Sequence, residues 1–144
     1  MTTIASRLYF VPVLFLASIC VHAMANTSRP LESFDDLLWK NRVVIMFSAE
    51  PVSKARALLD NMPAIDERHI AWFVITDEKV ISNHLGPVAT SFIAQAKSRF
   101  KDRPGSVFLV GKDGGTKLKL DTLDLELIFR TIDSMPMRMQ EMRP

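Results

Sequence analysis

The chain has little capacity for thiol chemistry, because its 144 residues include a single cysteine, Cys20. That cysteine lies inside an N-terminal segment with the pattern of a secretory signal peptide. The segment has one cation, Arg7, a largely apolar run over 8–21 and the sequence Ala-Met-Ala at 23–25, a small-x-small motif after which signal peptidases cut. We therefore predict that residues 1–25 are removed, that the mature chain begins at Asn26, and that it has no thiol for disulfides or redox catalysis.

Two other interpretations of the N-terminal segment remain open. An uncleaved membrane anchor needs roughly 20 apolar residues, whereas this run is shorter, contains Pro12 and is closed by His22. A lipoprotein would carry its lipid on Cys20, but Ile19 stands where such signals require a small residue. Cleavage fits the segment best, and it predicts a periplasmic or secreted protein with no stable membrane association afterwards.

A strong charge of one sign is also missing from the chain. Removal of Arg7 with the signal peptide leaves 17 of the 18 basic residues against 16 acidic residues. This balance lacks the basic surface typical of a nucleic-acid-binding protein, so we expect no nucleic-acid partner. The remaining residues, 26–144, are sufficient for one domain with one hydrophobic core.

What the mature chain does contain is an alternation of helical and strand patterns. Continuous apolar runs predict buried strands at 42–47, 70–75 and 106–110. A more polar run at 117–120, after a glycine turn, predicts the hairpin partner of the third strand. Apolar spacing predicts helices at 33–40, from a Ser53 cap to Pro63, at about 87–100, and from Asp121 or Thr122 to Ser134.

The order of these elements predicts an α/β fold. We expect a thioredoxin-like, four-stranded mixed sheet flanked by helices, with a C-terminal β-hairpin and a closing helix. A flavodoxin-like sheet would need a further parallel strand where the two glycines at 114 and 115 indicate a hairpin turn.

Two segments are more specific than the order of helices and strands. One is LVGKDGGTKL at 109–118, and the other, at 132–143, contains IDSMPMR followed by EMR. In these two segments the chain resembles a family of exported bacterial domains of unknown function with a thioredoxin-like fold. The resemblance covers about Pro30 to Arg143. The resemblance implies the fold and export but no activity. Thioredoxin carries its redox pair just after the first central strand, and the equivalent residues here, 47–54, include no cysteine.

Candidate binding residues lie near the ends of two predicted strands. Glu50 and Ser53 occupy the turn where this fold presents its chemistry, at a helix N-terminus whose free amides favour an anion. The simpler interpretation is that Ser53 caps the helix and Glu50 interacts with its dipole. His69 ends the run Asp-Glu-Arg-His at 66–69 and could act as a general base oriented by an acid, although a solvated loop explains the same residues.

Lys112 is a further candidate, because the run Lys-Asp-Gly-Gly at 112–115 combines a cation with two glycines and could bind a phosphate. The run lacks the spacing of a Walker loop. A tight hairpin turn explains the glycines through their tolerance of positive φ.

The tail from Met135 to Met142 holds four of the eight methionines in the chain. Closely spaced thioethers select Cu(I), so copper binding is one interpretation of the tail. Methionine is also an adaptable packing residue. We therefore expect the thioethers to pack onto the sheet while Arg138 and Arg143 pair with acids.

These observations predict an exported, non-redox, thioredoxin-like binding or interaction module for an unidentified protein or small molecule. We predict no catalytic residue, metal or cofactor, and assign binding to Glu50, Ser53, His69, Lys112 and Arg138. One alternative is an enzyme that uses non-thiol residues, with Glu50, His69 and Asp77 as its candidates. Another is a Cu(I)-binding protein that uses the methionines of the tail.

Overall fold

The computed structural model describes residues 29–100 and 105–144, which form an open mixed β-sheet with helices on both faces. Within these residues the strands are β1 (Arg42–Phe47), β2 (Ile70–Ile75), β3 (Val80–Ser82), β4 (Val107–Val110) and β5 (Thr116–Leu120). The helices are α1 (Pro51–Leu59), α2 (Met62–Glu67), α3 (Thr90–Phe100), α4 (Leu125–Asp133) and α5 (Pro136–Glu141), and a short 3-10 helix (Phe34–Leu37) precedes β1. The predicted α/β class is confirmed.

The middle of the sheet consists of β1, β2 and β4, and every residue of these strands is buried. The strand order is β3-β2-β1-β4-β5. β1 and β2 run parallel, with Arg42 opposite Ile70 and Phe47 opposite Ile75, while β4 runs antiparallel to β1 and β5 antiparallel to β4. Strands covered on both faces are largely apolar, and here Arg42 at the start of β1 is the one charged residue of the three strands, which is why the sequence revealed them.

The hydrophobic core has two halves, because successive strand residues point to opposite faces of the sheet. One face packs against the 3-10 helix and α3, where the Phe92 ring lies 4.5 Å from that of Phe34 and 4.7 Å from that of Phe73. The other face packs against α1, α2 and α4, and it buries Trp72 against residues such as Ile132. The sheet is therefore the middle layer of three.

The sheet of the described residues has five strands, so the predicted number of four is wrong. The additional strand is β3, whose three half-buried residues pair antiparallel with β2. A strand of this length is too short to give a periodic pattern. The Asn83 side chain extends the pairing, because its Oδ1 accepts from the Trp72 N–H at 2.8 Å and its Nδ2 donates to the Ile70 carbonyl at 2.9 Å.

The helix that follows β1 differs from the prediction at both ends. α1 begins at Pro51, and Ser53 lies inside it, where its Oγ donates to the Glu50 carbonyl at 3.1 Å instead of capping the helix. Pro63 does not end this helix but belongs to the first turn of α2. Proline suits a first turn because the N–H that it lacks has no partner inside the helix.

The C-terminal helices also differ from the prediction. α4 is capped by Asp124, whose carboxylate accepts from the Leu127 N–H at 2.9 Å, and not by Asp121 or Thr122. α4 ends next to Ser134 as predicted, but a further helix, α5, follows it. The tail is therefore an ordered helix in the structure.

Among the described residues, no helix has the length and apolar character needed to cross a bilayer. The predicted signal peptide and its cleavage site lie within residues 1–26, outside the described residues.

Candidate functional site

A cleft of about 500 Å³ opens at the carboxyl ends of β1 and β2. Ligands of open α/β sheets bind in the crevice outside the carboxyl ends of the strands, so the fold favours a site here. The apolar part of the wall comes from residues such as Phe47, Val52 and Ile75, and the polar part from residues 76–79 and Lys97.

The polar wall of this cleft is an ordered turn. Thr76 Oγ1 accepts from the N–H groups of Glu78 and Lys79 at 3.2 and 3.0 Å. Lys97 Nζ lies 3.3 Å from Asp77 Oδ1, but the Asp77 side chain is 99 % exposed, so this ion pair contributes little to stability. Lys79 is exposed on the same turn. The cleft therefore presents two ammonium groups, of Lys79 and Lys97, and two carboxylates, of Asp77 and Glu78, beside an apolar wall.

Glu50 and Ser53 stand beside the cleft and not in its wall. The Glu50 N–H donates to Ser48 Oγ at 3.0 Å, and the Glu50 carbonyl accepts from Ser53 Oγ at 3.1 Å. Both side chains are exposed. Their bonds shape the turn that brings Ser48 and Val52 into the wall of the cleft.

A second polar region lies at the opposite, amino ends of β1 and β2. Lys112 Nζ is almost buried, donates to Glu141 Oε1 at 2.7 Å and lies 3.0 Å from His69 Nδ1. An ammonium group has three donors and no acceptor, so Nδ1 accepts from it and the neutral imidazole carries its proton on Nε2. Lys112 itself lies in the tight turn between β4 and β5, in which Gly114 has a φ of +78° as the hairpin interpretation requires.

Arg42, the first residue of β1, binds the same carboxylate as Lys112. Its Nη1 and Nη2 donate to Glu141 Oε2 and Oε1 at 3.1 and 3.4 Å, and Nη1 also donates to the Arg68 carbonyl at 2.9 Å. The Arg42 side chain is 1 % exposed. Because Glu141 belongs to α5, these bonds fasten that helix over the ends of the central strands.

Arg138 is the centre of a second group of ion pairs on α5. Its Nη2 lies 2.6 Å from Glu67 Oε1, and its Nε donates to Asp133 Oδ1 at 3.3 Å. Arg68 binds the same Asp133 carboxylate through Nε and Nη2 at 3.0 and 2.6 Å. Arg138 Nη1 lies 3.8 Å from Glu141 Oε2, which joins the two groups. The prediction that Arg138 pairs with acids is confirmed.

These side chains form one connected set, which we call the ion-pair network: Arg42, Glu67, Arg68, Lys112, Asp133, Arg138 and Glu141. It has four cations and three carboxylates, and so one positive charge in excess. Burial alone would raise the pKa of Asp133 and of Glu141, but hydrogen bonds from the neighbouring cations outweigh burial, so both pKa values are lowered. Burial alone would lower the pKa of Arg138, but its carboxylate partners raise it.

Three of the five predicted binding residues, His69, Lys112 and Arg138, therefore lie at one end of the sheet, while Glu50 and Ser53 lie at the other. The enzymatic alternative required His69 to join Glu50 and Asp77. His69 precedes the six-residue β2 and Asp77 follows it, so about 20 Å of strand separates them. These three residues do not share a pocket.

Sequence reasoning missed Arg42, Asp133 and Glu141 as members of the network, and it named Glu67 and Arg68 only as part of the run at 66–69. Arg42 did carry a signal, because a charged residue at the start of a strand covered on both faces needs a partner if it is buried. Its partner Glu141 stands 99 positions further along the chain. No local pattern in the sequence links the two.

The methionines of the tail do not pack as expected. Met135 lies against the core, whereas Met137, Met139 and Met142 are 36, 45 and 48 % exposed. The packing interpretation is wrong for these three, because the charges of α5 hold the helix in place instead. Within the described ranges, no cluster of three or more histidine, cysteine or acidic side chains is arranged to hold a metal ion.

A family model described as "Domain of unknown function (DUF4174)" matches residues 33–141. The matched range includes every residue of the ion-pair network and of the cleft. Comparisons with curated proteins and with solved structures found no significant match. The prediction of an uncharacterised domain family is confirmed at this level.

Proposed function

Because the chain belongs to the DUF4174 family, whose description assigns no activity, we propose a function from the site. We propose that the protein is an exported, non-redox, thioredoxin-like module that binds a ligand in the cleft at the carboxyl ends of β1 and β2. The type of fold, the nature of the site and the compartment each have separate support.

The order of the elements supports the thioredoxin-like part of the proposal. β1 and β2 are parallel and are connected through α1 and α2, after which the chain crosses to the other face through α3. It returns as the antiparallel hairpin β4–β5 beside β1, and α4 then covers the face that carries α1 and α2. The turn where a thioredoxin-like fold presents its chemistry, 48–50, has the sequence Ser-Ala-Glu. A turn without a thiol supports binding in place of redox catalysis.

The observation that carries the proposal is the chemistry of the cleft wall. Val52 is 66 % exposed on α1 and continues the apolar surface formed by Phe47 and Ile75. Lys79 and Lys97 stand on the same rim. Burial of an apolar group and a charge-assisted bond to an ammonium both favour binding. The carboxylates of Asp77 and Glu78 also stand in this wall, so a ligand with an apolar group next to a carboxylate would take the place of the exposed Asp77 as the partner of Lys97.

N-acetylphenylalanine is a suitable probe, since it has an aromatic ring next to a carboxylate, and its amide keeps the ring but lacks the charge. Titration of the ¹⁵N-labelled mature protein should shift the amide resonances of residues 48–52 and 76–79. We expect the acid to bind roughly fivefold more tightly than the amide. Equal affinity of the two probes, or shifts confined to other residues, would contradict the assignment.

Two variants test the contribution of the cleft lysines. Lys97→Ala should weaken binding of the acid by roughly threefold or more, because the cleft then keeps only one of its two ammonium groups. Arg56→Ala is the matched control, because it removes one positive charge from the exposed surface of α1 away from the cleft. An equal effect of both variants would show that the acid responds to the overall surface charge and not to Lys97 in particular.

Export rests on the signal peptide pattern of residues 1–25. Mass spectrometry of the full-length chain expressed in a bacterial host should find a periplasmic protein that starts at Asn26. Recovery of a chain with an intact N-terminus in the membrane fraction would show that the protein is anchored in the membrane and not released by cleavage.

Cu(I) binding is a second candidate function, and the exposure of Met137, Met139 and Met142 favours it. Exposed thioethers are available as ligands that select Cu(I). Met139→Ala with Met142→Ala should leave the melting temperature of the metal-free protein nearly unchanged and should remove stabilisation by Cu(I). If titration under reducing conditions finds no saturable one-to-one site in the unmodified protein, this candidate is rejected.

The enzymatic alternative gains no support from the placement of its candidates, because His69 lies at the opposite end of β2 from Asp77.

A further inference from the structure

His69 and Trp39 share an uncommon backbone conformation. They are the two non-glycine residues of the described chain with positive φ, at 50° and 62°. Both contact Lys112, whose carbonyl accepts from the Trp39 N–H at 2.8 Å and whose Nζ donates to His69 Nδ1 at 3.0 Å. Left-handed conformations of bulky residues cost free energy and persist where the surroundings fix them, often at functional sites.

The backbone of His69 is held from both sides. Its N–H donates to the Asp66 carbonyl and its carbonyl accepts from the Arg42 N–H, both at 2.9 Å. The His69 side chain is nonetheless 53 % exposed. A half-exposed ring gains little stability from being held in this way. What the contacts do achieve is a fixed orientation, with Nδ1 toward Lys112 and the Nε2–H free of any partner among the described residues.

His69, with its half-exposed ring, lines a pocket of about 420 Å³ at the amino end of β2, which is separate from the cleft at the carboxyl end. Leu37 and Ala71 give it an apolar floor, and Leu85 stands fully exposed on its rim. Asp66 also lines the pocket, and it has no ion-pair partner within the described part of the chain. The pocket therefore has a hydrogen-bond donor, a carboxylate without an ion-pair partner and an apolar surface, and Asn41, Asn83 and His84 complete its polar lining.

We propose that this pocket binds a small zwitterion of the α-amino-acid type with an apolar side chain. His69 Nε2–H donates to the carboxylate of the ligand, and Asp66 pairs with its ammonium group. The excess positive charge of the ion-pair network lies behind His69, so the positive and negative sides of the pocket match those of the zwitterion. While Lys112 holds Nδ1, Nε2 carries the proton, so His69 acts as a donor and not as a general base.

Leucine is the probe for this pocket, and two analogues separate its charges. N-acetylleucine lacks the ammonium group, and leucinamide lacks the carboxylate. We expect leucine to shift the His69 ring resonances and the amides of residues 66–70 and 83–85, with an affinity roughly tenfold above that of either analogue. Long-range ¹H–¹⁵N spectra should show the Nε2–H tautomer in the free protein. No shift at these residues, or the other tautomer, overturns the proposal.

The variants are chosen to keep the fold. His69→Asn introduces a residue that tolerates positive φ, so the melting temperature should change little while leucine binding is lost. Asp66→Asn should remove the preference for leucine over N-acetylleucine, whereas Asp60→Asn, an exposed acid after α1, should not. Wild-type affinity in His69→Asn overturns the proposal. Because N-acetylphenylalanine probes the other end of the sheet, failure of that probe with normal leucine binding rejects the proposed function alone.

Discussion

Arg42 illustrates what one buried charge requires of the rest of the chain. It begins a strand whose other residues are apolar, and its side chain is 1 % exposed. A buried guanidinium without a partner is unfavourable, and its attraction to a carboxylate mainly offsets the cost of removing both groups from water. Loss of the two hydrogen bonds to Glu141 would therefore lower the stability of the domain mainly because it would leave a buried guanidinium without a partner.

Glu141→Ala should lower the free energy of unfolding by about 3 kcal/mol, because Arg42 and Lys112 remain buried without their carboxylate. Glu126→Ala is the matched control. Glu126 also lies on a C-terminal helix and pairs with Arg130 at 3.8 Å, but its side chain is 87 % exposed, so we expect a loss below about 1 kcal/mol. Urea denaturation measures both values, and similar losses would contradict the role of Glu141.

At the scale of elements, α5 differs from the other helices in how it is attached. It has six residues, and a helix of this length is not stable alone in water. Three of its flanking or internal methionines are exposed, while Arg138 and Glu141 carry its contacts with the body of the domain. Its docking should therefore depend on the charge of its partners.

Acidification should lower the free energy of unfolding in part through this helix. The pKa of Glu141 is lowered in the folded protein, because hydrogen bonds from Lys112 and Arg42 outweigh the effect of burial. Its contribution is present above the ordinary pKa of 4.5 and is lost as the pH falls through the lowered folded pKa. The stability difference between wild type and Glu141→Gln, measured by urea denaturation at several pH values, should shrink over that acidic range. A difference that does not depend on pH contradicts this account.

The elements that the sequence predicted well are those with a local signature. β1, β2 and β4 are continuous apolar runs, and the glycine turn marks the hairpin. β3 is too short for a pattern, and α5 lacks an apolar stripe long enough to reveal a helix. Lys112, His69 and Arg138 could be identified one at a time as unusual residues. Their meeting around Glu141 depends on tertiary structure, which no local pattern records.

At the scale of the whole molecule, the sheet separates two polar regions. The cleft lies at the carboxyl ends of β1 and β2, and the ion-pair network with its adjoining pocket lies at their amino ends. A variant at one end therefore shares no contact with the other, and effects of such variants on stability should be additive. This separation allows the two proposed ligand sites to be tested independently.

The mature chain should have no disulfide reductase activity, because the single cysteine lies in the predicted signal peptide and no thiolate remains as a nucleophile. Insulin reduction by dithiothreitol, followed by turbidity, should proceed at the uncatalysed rate. Thioredoxin serves as the positive control. Catalysis by the mature protein, free of contaminants, would show that redox chemistry had been excluded wrongly.

The pairing of Arg42 with Glu141 also has a consequence for biogenesis. Arg42 emerges from the ribosome 99 residues before its partner, so the amino end of the sheet cannot be completed until residue 141 has been synthesised. A chain truncated shortly before residue 141 would leave Arg42 and Lys112 without their carboxylate and would be less stable, and therefore more open to proteolysis, than the complete domain. Because Glu141 follows all five strands of the described chain, its pairing with Arg42 can close the amino end of the sheet only after every one of those strands has been synthesised.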